Sequence, residues 1–251
     1  MKALLLGAGY ATRLYPLTKD RPKPLLPVAG VPILTRICEQ VFKVKDLDRI
    51  YVVSNHRFAA HYYGWLRDYQ EQRAFPVPVE IYDDLTQSPD DRLGAIGDIQ
   101  FVIRNAKVED DLLVIAGDNL FEFSLQDFAA FGRSRGAAVC LKDLGRKEKV
   151  SLYGAVEIDK NGRIVGFEEK PPKPRTTLIS IGVYYFPKIH LPLFQEFLDE
   201  GKGKDAPGYY LQWLHPRIPV YGYVVEGSWF DIGDIDSYNA ANEMMLTRGP
   251  S

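Results

Sequence analysis

Apolar positions in the first 145 residues follow two alternating rhythms. Short runs at Ala3–Leu6, Ile50–Ser54, Val77–Tyr82, Leu112–Ala116 and Ala137–Leu141 predict strands. Helical spacing separates them at Ile33–Phe42, Phe58–Gln72, Ile96–Arg104 and Leu125–Ser134. Ala3–Leu6 and Leu112–Ala116 are apolar without a break, as strands covered on both faces must be. This alternation predicts a parallel sheet with helices on both faces. After Gly145 the pattern changes. Tyr153–Ile158, Arg163–Glu169, Ile179–Phe186 and Val220–Val225 look strand-like, and Asn161-Gly162 is a hairpin turn between the first two. Tyr209–His215 and Ile235–Leu246 have helical spacing. The expectation is an α/β chain: a Rossmann-like, mixed but mostly parallel sheet, with a smaller β-rich, more antiparallel lobe packed against it. Pro171-Pro-Lys-Pro174 is a rigid connector between its parts. We expect one domain over residues 1–251, divided near residue 145.

Bulk properties narrow the function classes. With 46% hydrophobic and 25% charged residues the chain is ordinary for a globular protein. A net charge of −2 offers no general attraction to nucleic acid or to an anionic membrane. No apolar run approaches the 18 or so residues of a membrane span. The N-terminus enters a strand without a secretory pattern, so the expected location is the cytoplasm. Cys38 and Cys140 stand in apolar contexts outside any metal-ligand spacing, as buried free thiols do. His56, His61, His190 and His215 show no metal or triad spacing, and no serine stands in a nucleophile-elbow pattern.

The chemistry concentrates where strands end. Ala3–Leu6 runs into Gly7-Ala8-Gly9-Tyr10-Ala11, followed by Thr12 and Arg13. Lys23 stands ten residues further on, between Pro22 and Pro24. Each part suits a triphosphate. Glycines let backbone N–H groups approach an anion. Arginine offers a fixed fork of donors, and lysine a compact charge on a backbone held by its prolines. A dinucleotide-binding turn would need a third glycine where Thr12 stands and an acid after the second strand, which instead ends Val53-Ser54-Asn55. A Walker A loop is also absent. Two acids follow strands on glycine-containing bends: Asp118 in Ala116-Gly117-Asp118-Asn119, and Asp231 in Trp229-Phe230-Asp231-Ile232-Gly233. Each could instead cap a helix, although Asp234 is the better cap for the last one.

Together with Pro22-Lys-Pro-Leu-Leu-Pro-Val28, Tyr153-Gly154 and Glu169-Lys170-Pro171, these segments occur in the order found in the sugar-1-phosphate nucleotidylyltransferases, which the chain resembles from residue 1 to about residue 245. Ala8 and Ala11 stand where that family has glycines, and alanine would be strained at positive φ. The resemblance implies Mg²⁺-dependent transfer of a nucleoside monophosphate from an NTP, dTTP or UTP favoured, to a sugar 1-phosphate. It implies Asp118 and Asp231 as metal ligands, and Arg13, Lys23, Asp118 and Lys170 as catalytic residues. Leu6, Gly7, Ala8, Gly9, Thr12, Arg13, Lys23, Gln87, Gly94 and Asp118 would bind the nucleotide, with Leu93-Gly94-Ala95 reading the base. Asn119, Tyr153, Gly154, Glu169, Lys170 and Ile181 would bind the sugar phosphate. Trp229 would pack beneath the metal site, and a homo-oligomer is compatible with the family. A non-sugar phosphate acceptor and a catalytically silent nucleotide-sugar sensor stay open at this stage.

Overall fold

The computed structural model describes residues 1–201, 203 and 205–247; the end of the expected 1–251 span lies outside the described residues. In chain order the elements are β1 (Lys2–Leu6), β2 (Pro27–Val28), β3 (Val31–Pro32), α1 (Ile33–Val41), β4 (Arg49–Ser54), α2 (His56–Gln72) and β5 (Val79–Asp83). Next come α3 (Gly94–Asn105), β6 (Leu112–Ala116), β7 (Asn119–Phe121), α4 (Leu125–Arg135) and β8 (Ala138–Asp143). The remainder is β9 (Gly154–Ile158), β10 (Ile164–Glu169), β11 (Leu178–Phe186), α5 (Leu193–Asp199), α6 (Pro207–Leu214), β12 (Tyr221–Val224), β13 (Trp229–Asp231) and α7 (Ile235–Thr247).

The unbroken apolar strands are explained by burial on both sides. Ala3 and Leu5 of β1 share one core with Ile50 and Val52 of β4 and with Leu113 and Ile115 of β6. Leu4 faces the other core with Tyr51, Val53, Leu112 and Val114. Ile33 of α1, Phe58 of α2, Phe128 of α4 and Ala241 of α7 cover the first face. Ile99 of α3, Phe194 of α5 and Tyr210 of α6 cover the second. Cys38 and Cys140 are buried free thiols in the first core, and burial pushes both up in pKa. No helix among the described residues is long and apolar enough to cross a membrane.

The large sheet runs β10-β9-β11-β6-β1-β4-β5, with β8 on β11 and β12 on β8. β5, β4, β1 and β6 are mutually parallel. β11 turns against β6, β8 and β9, and β10 against β9. The β-rich later part is thus a continuation of the main sheet through β11 and not a second sheet. Its hairpin turns at Asn161-Gly162, where Gly162 has φ +79° and the Asp159 carboxylate accepts from the N–H groups of Asn161 and Arg163. Outside the sheet, β7 pairs antiparallel with β13. Helix starts follow side-chain chemistry: Asn55, Ser124 and Asp234 accept from Phe58, Asp127 and Ser237 N–H at the heads of α2, α4 and α7.

Candidate functional site

Parallel strands β4, β1 and β6 end on one edge of the sheet, where α/β folds bind their ligands. β1 leaves there into the turn of residues 7–11. Its backbone is held from two sides: Tyr62 Oη donates to Gly7 O at 2.8 Å and Asn55 Nδ2 to Ala8 O at 2.8 Å. The residue that a dinucleotide fold would make acidic therefore anchors the turn instead. Ala8 keeps an ordinary backbone, but Ala11 stands in the left-handed region at φ +47° and heads the short 3₁₀ turn Thr12–Leu14. Thr18 Oγ1 and Leu14 N–H both donate to its carbonyl and hold it there. Left-handed backbone costs a non-glycine residue about 1–2 kcal/mol, partly offset by its smaller unfolded-state entropy. Ala11→Gly is accordingly expected to hold or raise stability by up to about 1 kcal/mol, read as the urea midpoint, with turnover unchanged. A clear loss of stability would contradict the strain.

Lys23 opens a second 3₁₀ turn, Lys23–Leu25, after Pro22. Its Nζ lies 2.8 Å from Asp118 Oδ2, with both side chains partly buried. Asp118 reaches this place because Gly117 passes hard against β1: a Cβ there would sit 2.4 Å from Leu6 O. Beyond it the chain enters β7, which excludes a helix-capping role for Asp118. In the β7–β13 ribbon, Asp231 lies opposite Asn119, and Ile232 N–H donates to Asp118 O at 3.1 Å. The ribbon thus brings together two acids that are 113 residues apart in sequence. Burial, then the Asp118 charge, push the Asp231 carboxyl up to about 6, with Lys23 and Arg13 opposing. Asp234 holds the cap of α7, which leaves Asp231 to face the cleft.

Two cavities meet here. One, about 570 Å³, is lined by Leu6, residues 7–13, Lys23 and Gly94 among others. The other, about 810 Å³, is lined by Tyr153, Gly154, Glu169, Lys170 and Asp231 among others. Arg13, Asp118 and Pro207 line both. In the second, Glu169 is buried and its carboxyl is raised in pKa by that burial, with Lys170 opposing; Lys170 Nζ lies 4.0 Å away and is largely exposed. Lys170 itself takes φ +48°, and its N–H donates to Tyr153 O. The Tyr153 ring meets Trp229 edge-on, and Trp229 Nε1 donates to Asn119 Oδ1 at 2.8 Å.

Three expected residues fall outside both cavities. Gln87 is exposed, and its N–H is bound by the Asp91 carboxylate. The Asn119 amide is taken up by Trp229 and Ala116, so it fastens the ribbon instead of facing the cleft. Ile181 points into the first core, and its neighbour Ser180 lines the cavity. Conversely, Tyr10, Asp84, Arg92, Asp98 and Asp205 line the first cavity beyond the residues expected from the sequence. Asp84 accepts from Thr86 N–H and Oγ1, and burial raises its pKa. Arg92 forks onto Asp205 at 3.1 and 2.8 Å, tying the loop before α3 to the one before α6. The run of acids in the 84–98 segment is the signal in the sequence for Asp84 and Asp98.

Known proteins resemble this chain in sequence and in fold. A family model described as nucleotidyl transferase matches residues 2–248. The bifunctional protein GlmU of Methanocaldococcus jannaschii is 31% identical over 99% of this chain and 55% of its own length. The UTP–glucose-1-phosphate uridylyltransferase of a Synechocystis strain is 30% identical over 99% of this chain and 64% of its own. The chain therefore spans a little over half the length of these curated relatives. A UTP-bound UGPase from Acinetobacter baumannii has the same fold, with a TM-score of 0.81 at 20% identity, covering 100% of this chain and 94% of that one.

Proposed function

Since the chain belongs to the nucleotidyl transferase family, we propose that it transfers a nucleoside monophosphate from an NTP, dTTP or UTP favoured, to a glucose-1-phosphate-like sugar 1-phosphate, releasing pyrophosphate. The observation that carries the reading is the meeting of two cavities at Arg13 and Asp118. One is walled by the phosphate-type turn and the other by Glu169 and Lys170. The names of the relatives support the substrate classes. Residues to about 145 would supply the nucleotide side, and the remainder the sugar-phosphate side.

The donor set fits Mg²⁺. Asp118 and Asp231 give two hard carboxylates, and no group of three or more His, Cys, Asp or Glu among the described residues closes the site. That leaves positions for phosphate oxygens and water, as Mg²⁺ prefers. A buried acid beside a second acid, as Asp231 is, also favours a cation between them. When bound there, the ion would neutralise phosphate charge and fix its geometry.

The chain's own groups do the rest. Arg13 and Lys23 hold the triphosphate and take up charge that develops on pyrophosphate. Lys170 holds the incoming sugar phosphate, whose oxygen is already anionic and needs no base. That oxygen attacks the α-phosphorus as the bond to the β-phosphate oxygen breaks. Catalysis is then positioning plus charge stabilisation. The test is pyrophosphate release over four NTPs and a panel of sugar 1-phosphates. A single active pair supports the reading. A blank panel with turnover of choline phosphate, or with nucleotide binding alone, would replace it. EDTA is expected to abolish release and added Mg²⁺ to restore it; full activity in EDTA would refute the metal assignment.

A further inference from the structure

A forked ion pair joins the walls of the two cavities. On the nucleotide side, the loop before α3 is stiffened by its own carboxylates. Asp84 accepts from Thr86 N–H and Oγ1 and shares a hydrogen bond with Asp98 of α3. Asp91 gathers the N–H groups of Gln87 and Ser88. Arg92 ends this unit, donating to Pro89 O and, through Nε and Nη2, to both carboxylate oxygens of Asp205. On the other side, Asp205 stands two residues before Pro207, which opens α6 with a fixed φ and passes any displacement on. Pro207 lines both cavities. Gly208 beside it lies so close to Glu169 that a Cβ there would overlap the carboxylate. Ala206 gives α6 no side-chain cap. The head of this helix therefore borders the acceptor cavity and is tied, through Asp205, to a loop whose Asp84, Pro89 and Arg92 line only the nucleotide cavity.

An exposed ion pair usually contributes little, because water competes for both charges and two side chains lose their freedom. A fork that engages both carboxylate oxygens is the geometry in which such a pair holds. Its setting also changes with occupancy. The Arg92 side chain is 47% exposed and that of Asp205 54%, and both line the nucleotide cavity. A nucleotide filling that cavity covers the pair and lowers the local dielectric, so the attraction rises. The pair is then closed more of the time, and the head of α6 is fixed where the sugar phosphate must dock. Resting on the nucleotidyl-transfer reading, we propose that Arg92 and Asp205 are positioning residues that couple the two cavities. Through their bond, an NTP in the first raises affinity for the sugar 1-phosphate in the second, a cavity that neither residue lines. By linkage, the sugar phosphate raises NTP affinity by the same factor. The coupling is bounded by what the pair itself contributes, which sets it at about 3- to 10-fold.

The experiment measures the Kd of the sugar 1-phosphate that the wild type turns over best, in Mg²⁺. It is measured with and without a saturating α,β-methylene analogue of the preferred NTP, whose α–β bridge cannot be broken. Wild type, Arg92→Ala, Asp205→Ala and the double variant are compared. In the wild type the analogue should tighten the sugar phosphate by about 3- to 10-fold. In each single variant that ratio should fall to about one, and the double variant should fall no further, because the two residues act as one unit. In steady state, Asp205→Ala should raise KM for the sugar phosphate by a similar factor, with kcat nearly kept and melting temperature unchanged. A wild-type ratio of one, or a ratio kept in either single variant, would overturn the proposal. So would losses of sugar-phosphate affinity that multiply in the double variant and come with a lowered melting temperature. That outcome marks Asp205 as an acid serving only the dipole of α6, independently of Arg92. If the wild type releases no pyrophosphate from any NTP and sugar 1-phosphate, the parent reading fails first and separately, and this inference falls with it.

Discussion

Asp231→Asn is expected to lower the rate of pyrophosphate release by about 10²–10³-fold, the usual loss when one preorganised electrostatic stabiliser is removed. Its effect on stability should have the opposite sign. Burial and the Asp118 charge hold the Asp231 carboxyl at about 6, above the ordinary carboxylate range. The folded chain therefore binds this proton more tightly than the unfolded chain. The stability that the group contributes is complete below the unfolded value and is lost as pH rises towards 6. At pH 7 in EDTA the wild type carries that loss in full, and asparagine removes it. The variant should then be more stable by on the order of 1–3 kcal/mol, and melts against pH should lose the fall between about 4 and 6. Asp118→Asn should cost a similar factor in rate but gain no comparable stability, because Lys23 then faces a neutral amide in place of its carboxylate partner at 2.8 Å in a partly buried setting. Normal turnover in Asp231→Asn, or a lower EDTA melting point than wild type at pH 7, would refute the argument.

The same pair shows how far the sequence could be read. Strand ends are legible, because an unbroken apolar run fixes a doubly covered strand and a glycine-acid step after it marks the functional edge. The ribbon that brings Asp231 to Asp118 is not. β7 and β13 are three residues each, too short for any periodicity to register. Asn119, next to Asp118, is expected from the sequence to bind the sugar phosphate; only the fold shows its amide spent on Trp229. Ile181 and Ser180 differ by one strand position, and a one-residue step moves a side chain to the opposite face. Gln87 belongs to a loop whose shape is set by the Asp91 carboxylate gathering the N–H groups of residues 87 and 88. Local polar contacts of this kind have no apolar rhythm to reveal them. The element order and the strand-end acids were legible because burial writes them into the sequence. What faces the cleft within a loop or a strand end was decided by hydrogen bonds made only after folding.

Arg13 is the residue for which position and chemistry give the second large expectation. It lines both cavities, so its loss should touch both substrates, unlike that of Lys23 or Lys170, each confined to one. A charge-assisted hydrogen bond contributes about 1.5–3 kcal/mol, or roughly 10- to 150-fold. Arg13→Ala should thus lower kcat/KM for the NTP by about that factor and also slow the chemical step, because charge on the departing pyrophosphate grows only in the transition state. Its backbone sits in the 3₁₀ turn that Ala11 and Thr18 pin, and the planar fork offers paired donors that lysine lacks, so Arg13→Lys keeps the charge but not the paired geometry and should recover only part of the loss. Steady-state kinetics with each substrate varied in turn, alongside direct nucleotide binding, separates these contributions. Unchanged nucleotide affinity together with unchanged kcat would remove Arg13 from the mechanism. A loss confined to the sugar phosphate would move it from the triphosphate to the acceptor.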